Sequence, residues 1–140
     1  MDVSPASVNQ DAATWIRLRL PAEPDAAMAS RHALTEFARD NGATGQLLSD
    51  IALAVSEAVS NVIIHAYRDR PRPGAVSVEG EREGNMLSIV VRDDGPGMTP
   101  RHDSPGLGFG LSLIAQVTQA MELRARPEGG SELRMSFALA

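Results

Sequence analysis

Apolar and polar positions alternate along Thr14-Trp-Ile-Arg-Leu-Arg-Leu20, which predicts a strand with one wet face. Pro21 and Pro24 end it, and Pro24 suits the opening of a helix that runs to about Asn41, where Asn41-Gly42 stops the pattern. From Thr44 to about Tyr67 the period becomes helical again. Leu48, Ile51, Val55, Ala58, Val59, Val62 and Ala66 form its apolar stripe. Two prolines between Arg68 and Gly74 break the chain.

Ala75–Glu81 and Met86–Val91 then read as two strands around a turn at Glu83-Gly84-Asn85. Glycine and proline dominate from Gly95 to Gly110, which predicts a loop, and Leu111–Ala120 returns to a helical pattern. Glu122–Arg126 and Glu132–Leu139 make a closing hairpin across Pro127-Glu-Gly-Gly130. The expected architecture is α+β: a two-layer sandwich with three helices on one face of a mixed, mostly antiparallel sheet. A flexible tail over residues 1–11 and one domain over 12–140 complete it, a size that supports one core.

Composition narrows the chemistry. All thirteen basic residues are arginine and none is lysine. A Walker-type phosphate loop, a protein-kinase fold with its strand lysine, and Schiff-base catalysis are therefore excluded. There is no cysteine, so no disulfide and no thiolate metal site. The net charge of −5 argues against a nucleic-acid surface. No apolar run approaches the ~20 residues a membrane span needs, and Met1–Asp11 shows no secretory signal. A cytoplasmic protein is expected.

Three stretches carry candidate chemistry: Glu57-Ala-Val-Ser-Asn61, Asp93-Asp94-Gly95-Pro96-Gly97 and Gly106-Leu-Gly108-Phe-Gly110. Glu57, Asn61 and His65 are spaced i, i+4, i+8 and share one side of the long helix, at the edge of its apolar stripe. An Asn carbonyl is a neutral oxygen ligand suited to Mg²⁺, and a neighbouring carboxylate can orient a nucleophile or accept its proton. A solvated polar face is the plain alternative, and His65 reads as a structural residue closing the helix.

Asp93 follows Leu87-Ser-Ile-Val-Val91 where a buried strand ends. A carboxylate there can accept from the exocyclic amine of adenine. Gly95 and Gly97 permit close backbone approach to a base, and Met98 can lie against the ring. An ordinary strand-ending turn uses the same residues. Gly106, Gly108 and Gly110 precede an apolar helix and leave amides to face an anion. Arg101 and His102 are phosphate contacts or solvated loop charges.

In this order the residues resemble the Bergerat-type ATP-binding fold shared by DNA gyrase, the heat-shock chaperone ATPases and sensor histidine kinases. More narrowly, Glu57-Ala-Val-Ser-Asn61-Val-Ile-Ile-His65-Ala-Tyr67 resembles the Glu-x-x-x-Asn…His-Ala-Tyr helix of the bacterial anti-sigma-factor serine kinases. That resemblance implies ATP and Mg²⁺ as cofactors. It implies Asn61 as the Mg²⁺ ligand and Glu57 as the base toward a protein serine. Asp93 would contact the adenine amine, Gly95 and Gly97 would shape the base pocket, and Gly106, Gly108 and Gly110 would line the phosphates. Ser131, after Gly129-Gly130, stands at the family's Gly-Thr and would support Asp93 through water. The implied partners are a sigma factor and an antagonist protein, with a possible homodimer and no direct nucleic acid.

Only eight residues, Met98–Pro105, separate the two glycine boxes, fewer than in the sporulation and stress-response members. A short lid covers less of a triphosphate, which favours nucleotide binding over efficient transfer. A non-catalytic, nucleotide-gated binding module and a stand-alone histidine-kinase catalytic domain are the alternatives. His32, the one upstream histidine, lacks the acidic neighbour of a phospho-acceptor. The helix from Pro24 to Asn41 corresponds to a partner-binding region in the family, and its Met28, Leu34 and Phe37 are expected mostly in the core.

Overall fold

The structure is a computed structural model and describes residues 13–66, 74–95 and 105–139. The expected tail over 1–11, Tyr67, Gly97, Met98, Arg101 and His102 lie outside the described residues. The element order is β1 (Trp15–Pro21), α1 (Asp25–Asp40), α2 (Gly45–Asn61), a π-helical turn (Val62–Ala66), β2 (Ala75–Glu83), β3 (Met86–Asp93), α3 (Pro105–Val117), β4 (Ala120–Ala125) and β5 (Ser131–Ala138). The sheet order is β1-β2-β3-β5-β4. Each neighbouring pair is antiparallel, so the sheet has none of the parallel pairing that a mixed one would show.

The helices follow the sheet across its width. α1 lies over β1 and β2, α2 over β3 and β5, and α3 beside β4, with α2 in the middle touching both other helices. Alternation on the strands supplies the shared core: Val76 and Val78, then Leu87, Ile89 and Val91, then Leu133, Met135 and Phe137, all essentially inaccessible. Gly80 continues this row beneath α1. A β-carbon there would stand 2.9 Å from both Leu34 Cδ1 and Phe37 Cε2, so its absence lets the helix settle close to the sheet.

Leu34 and Phe37 are core residues as expected, but Met28 is 63% exposed. It falls on the far side of α1 from the sheet. The helix ends where Asn41, fully buried, donates its side-chain amide to the carbonyls of Phe37 (2.9 Å) and Ala13 (3.0 Å). Gly42 then takes φ 103°, a conformation that favours glycine.

Three local expectations change. Residues 45–64 form a helix whose length and mean hydropathy of 1.7 suffice to span a bilayer, contrary to the sequence reading. Leucine, isoleucine and valine raise that average between the polar residues, and Ile51, Ala54, Val55, Ala58 and Val59 pack into the core. The long helix is also not regular to its end, because Val62–Ala66 winds as a π-turn directly after Asn61. Such turns widen the helix locally and recur at functional sites. Finally, α3 starts at Pro105 rather than Leu111, so all three glycines of the second box lie inside a helix. Proline at the first helical position explains this: its missing N–H is not needed there.

The outer face of the sheet is charged. Arg17 on β1 pairs with Glu79 on β2 (3.1 Å), which pairs with Arg92 on β3 (2.8 Å). Arg92 also meets Glu132 on β5 (2.7 Å), and Glu132 meets Arg124 on β4 (2.9 Å). The ladder thus runs plus, minus, plus, minus, plus through all five strands in sheet order. Burial alone would raise the Glu132 carboxyl, but its hydrogen bonds from Arg92 and Arg124 outweigh that and hold it below its ordinary value.

Candidate nucleotide site

One end of the sandwich collects the candidate residues. β1 and β3 finish there and β2 and β5 begin, since Pro21 pairs with Ala75, Val76 with Asp93, and the Ala22 amide bonds to Gly74. α1 begins three residues after β1, and α2 runs back beside it after the turn at 41–44, so the Asn61 end of α2 returns to this same end. α3 begins at this end too, since only residues 118 and 119 separate its last turn from Ala120, which pairs with Ser136 toward the far end of β5.

Asp93 is the last residue of β3 and continues the inward row of Leu87, Ile89 and Val91, which buries it to 1% exposure. One carboxylate oxygen accepts from the Gly95 amide at 3.1 Å. The other accepts from the Ser131 hydroxyl at 2.5 Å. That contact is direct, where the sequence comparison suggested a water between them. No cation faces this carboxylate among the described residues. A buried acceptor-only group with two neutral donors keeps lone pairs for a further donor, and its burial is costly without one.

Gly130, the turn residue just before β5, sits against the same residue. It has φ +85°, and a β-carbon on it would lie 1.9 Å from the Asp93 carbonyl oxygen. Arg126, from the turn between β4 and β5, donates to that carbonyl at 3.0 Å. Sequence reading took Gly129-Gly130 as a turn and Arg126 as the end of a strand, with no role in the site. Paired glycines before Ser131 were the available signal for the first; nothing local marks the second.

Asn61 is 6% exposed, deeper than the stripe edge where spacing placed it. Its side-chain nitrogen is buried and has no hydrogen-bond partner among the described residues. An unsatisfied amide at this depth costs stability unless something fills its demand. One turn earlier Glu57 is half-buried, with no partner for its carboxylate among the described residues. Side chains of His65 and of 105–110 lie outside the described set. By position, Gly106 falls in the first turn of α3, where amides have no helical acceptor, whereas Gly110 falls where the helical ladder takes them.

No group of three His, Cys, Asp or Glu side chains able to hold a metal occurs among the described residues. The amide oxygen of Asn61 is a neutral oxygen of the kind a hard cation takes, while its orphaned nitrogen is a donor that calls for an acceptor such as a phosphate oxygen.

Buried carboxylate, orphaned amide and helix N-terminus at one end of a helix-backed antiparallel sheet define a nucleotide-binding class of domain. Residues 20–137 match the family model of the histidine kinase-like ATPase domain. The chain belongs to that family. It is 32% identical to the anti-sigma F factor of Clostridium novyi (strain NT), over 79% of this chain and 84% of that protein. It is 30% identical to the serine-protein kinase RsbW of Bacillus velezensis, over 87% and 84% respectively. The RsbU and RsbW domains of a Mycobacterium tuberculosis protein share the fold, with a TM-score of 0.71 at 22% identity, covering 90% of this chain and 32% of that one.

Proposed function

We propose that this protein is a cytoplasmic, ATP- and Mg²⁺-dependent serine kinase of the anti-sigma type, which holds a sigma factor and phosphorylates a serine of an antagonist protein. The observation that carries the reading is Asp93: a buried carboxylate with spare acceptor capacity, positioned by Ser131 and Gly95. The relatives named anti-sigma F factor and serine-protein kinase support the choice of substrate and partners.

In this reading Asp93 accepts from the adenine amine, and Gly95, Gly97 and Met98 shape the base pocket. Asn61 holds Mg²⁺ jointly with the phosphates. The metal neutralises charge on the phosphate oxygens when bound. Amides at the start of α3, Gly106 first, face the phosphates along with Arg101, while Gly108 and Gly110 let the helix backbone approach them. Glu57 orients the attacking serine hydroxyl and takes its proton as the oxygen–phosphorus bond forms and the bond to the ADP oxygen breaks.

The test is titration with ATP, with and without Mg²⁺, followed by incubation with γ-labelled ATP and the antagonist. Mg²⁺-dependent binding and label on serine are expected. Binding without labelling of any partner overturns the kinase assignment in favour of a nucleotide-gated module. Label on histidine or aspartate overturns the choice of serine.

A further inference from the structure

The geometry points to Arg126 as a positioning residue that fixes the Asp93 peptide and thereby sets the preference for adenine over guanine. This rests on the reading of Asp93 as the base-contacting carboxylate.

The last cross-strand pair between β3 and β5 is Arg92 with Glu132, so Asp93 lies one residue past the regular ladder. Its carbonyl points toward Gly130, as the close approach there shows. Arg126 supplies a donor to that carbonyl, at 3.0 Å from Nη1.

The guanidinium is itself held. Its Nη2 pairs with Glu128 at 2.9 Å, and the side chain is only 23% exposed. The backbone of Arg126 closes the turn in both directions: its amide donates to the Gly130 carbonyl and its carbonyl accepts from Gly129, each at 3.0 Å. One rigid turn therefore delivers both the guanidinium and the bare Gly130 backbone to one peptide group.

That peptide leads directly into Asp94 and Gly95. The Gly95 amide in turn orients the Asp93 carboxylate at 3.1 Å. Releasing the carbonyl lets the Asp93–Asp94 peptide tilt about Asp94, whose side chain stays paired with Arg19 at 3.2 Å, and the tilt draws the Gly95 amide away from the carboxylate that Ser131 still contacts. The carboxylate then tilts. Discrimination between bases depends on that tilt, because adenine presents an amine donor where guanine presents an oxygen acceptor. A fixed carboxylate attracts the first and repels the second; a loose one does neither well.

The experiment compares ATP and GTP affinities of the full chain by calorimetry for wild type, Arg126→Met, Arg126→Lys and Glu128→Gln. A charge-assisted hydrogen bond lost through the positioning peptide weakens ATP about tenfold in Arg126→Met while GTP changes less than about twofold, so the ratio narrows. Arg126→Lys keeps a donor and restores most of the ratio. Glu128→Gln loosens the guanidinium without vacating its place and narrows the ratio about two- to threefold. ATP and GTP weakening in parallel, or an unchanged ratio, overturns the inference. If Arg126→Met does not fold, the Glu128→Gln ratio decides alone. A wild type that prefers ATP alongside variants with unchanged ratios overturns only this inference; a wild type that binds neither nucleotide overturns the ATP reading and this with it.

Discussion

Gly130 and Asp93 meet backbone to backbone. A β-carbon on Gly130 would lie 1.9 Å from the Asp93 carbonyl oxygen and 2.7 Å from its carbon. Neither atom belongs to a side chain that can swing aside, so the wall of the site is set by main chain. The next residue, Ser131, then reaches the Asp93 carboxylate from the inner face of the sheet.

Gly130→Ala separates contact from conformation when compared with Gly129→Ala. Gly129 has φ +104°, and a β-carbon on it would meet nothing within 4 Å. Its substitution is expected to cost about 1 kcal/mol of backbone strain. Gly130→Ala adds the collision and is expected to cost more than about 3 kcal/mol together with loss of ATP binding. Urea unfolding of the two variants measures the difference, and equal midpoints contradict the packing described.

Ser131→Ala removes one of the two donors on the Asp93 carboxylate. A stability loss of about 1–2 kcal/mol is expected from the bare buried acceptor, with weaker ATP binding. Asp93→Asn is expected to weaken ATP further, and adding Ser131→Ala to it should change little, since both act through one carboxylate. A double-mutant cycle by calorimetry shows whether the two effects couple; simple additivity rules it out.

Glu57→Gln keeps the size of the side chain but cannot take a proton. Phosphotransfer is expected to fall about 10²–10⁴-fold with ATP affinity nearly unchanged. Rapid-quench measurement with labelled ATP reads the first quantity and titration the second. A variant that phosphorylates its antagonist at the wild-type rate disproves the role.

Glu132→Gln tests the charged ladder. The folded carboxyl sits below its ordinary value of 4.5, so its contribution is complete above that pH and is lost as pH falls through the lowered folded value. At pH 7 the variant is expected to be about 2 kcal/mol less stable than wild type, the cost of hydrogen bonds to a charged group. That gap should close as the solution is acidified below pH 4.5. A gap that stays constant from pH 7 to pH 3 contradicts the coupling.

The order of strands and helices, the core positions of α2 and the Glu57–Asn61 spacing were readable because each is written in neighbouring residues. Alternation marks strands and a period near four marks helices, whatever the remainder of the chain does. The second glycine box misled for the same local reason. Three glycines weigh against a helix, yet Pro105 starts one and α3 packs against α2.

What the linear chain determined on its own is therefore the list of elements and most of the candidate chemistry, since propensity and periodicity are short-range. Folding alone decided that Arg126 would hold the carbonyl of Asp93, 33 positions away, and that Ser131 would touch its carboxylate directly. The charged ladder belongs to the same group, because its partners meet only once five strands take a common register. Such contacts depend on strand order and on the hand and length of each connection. Those are properties of the assembled sheet, to which no single segment holds the key.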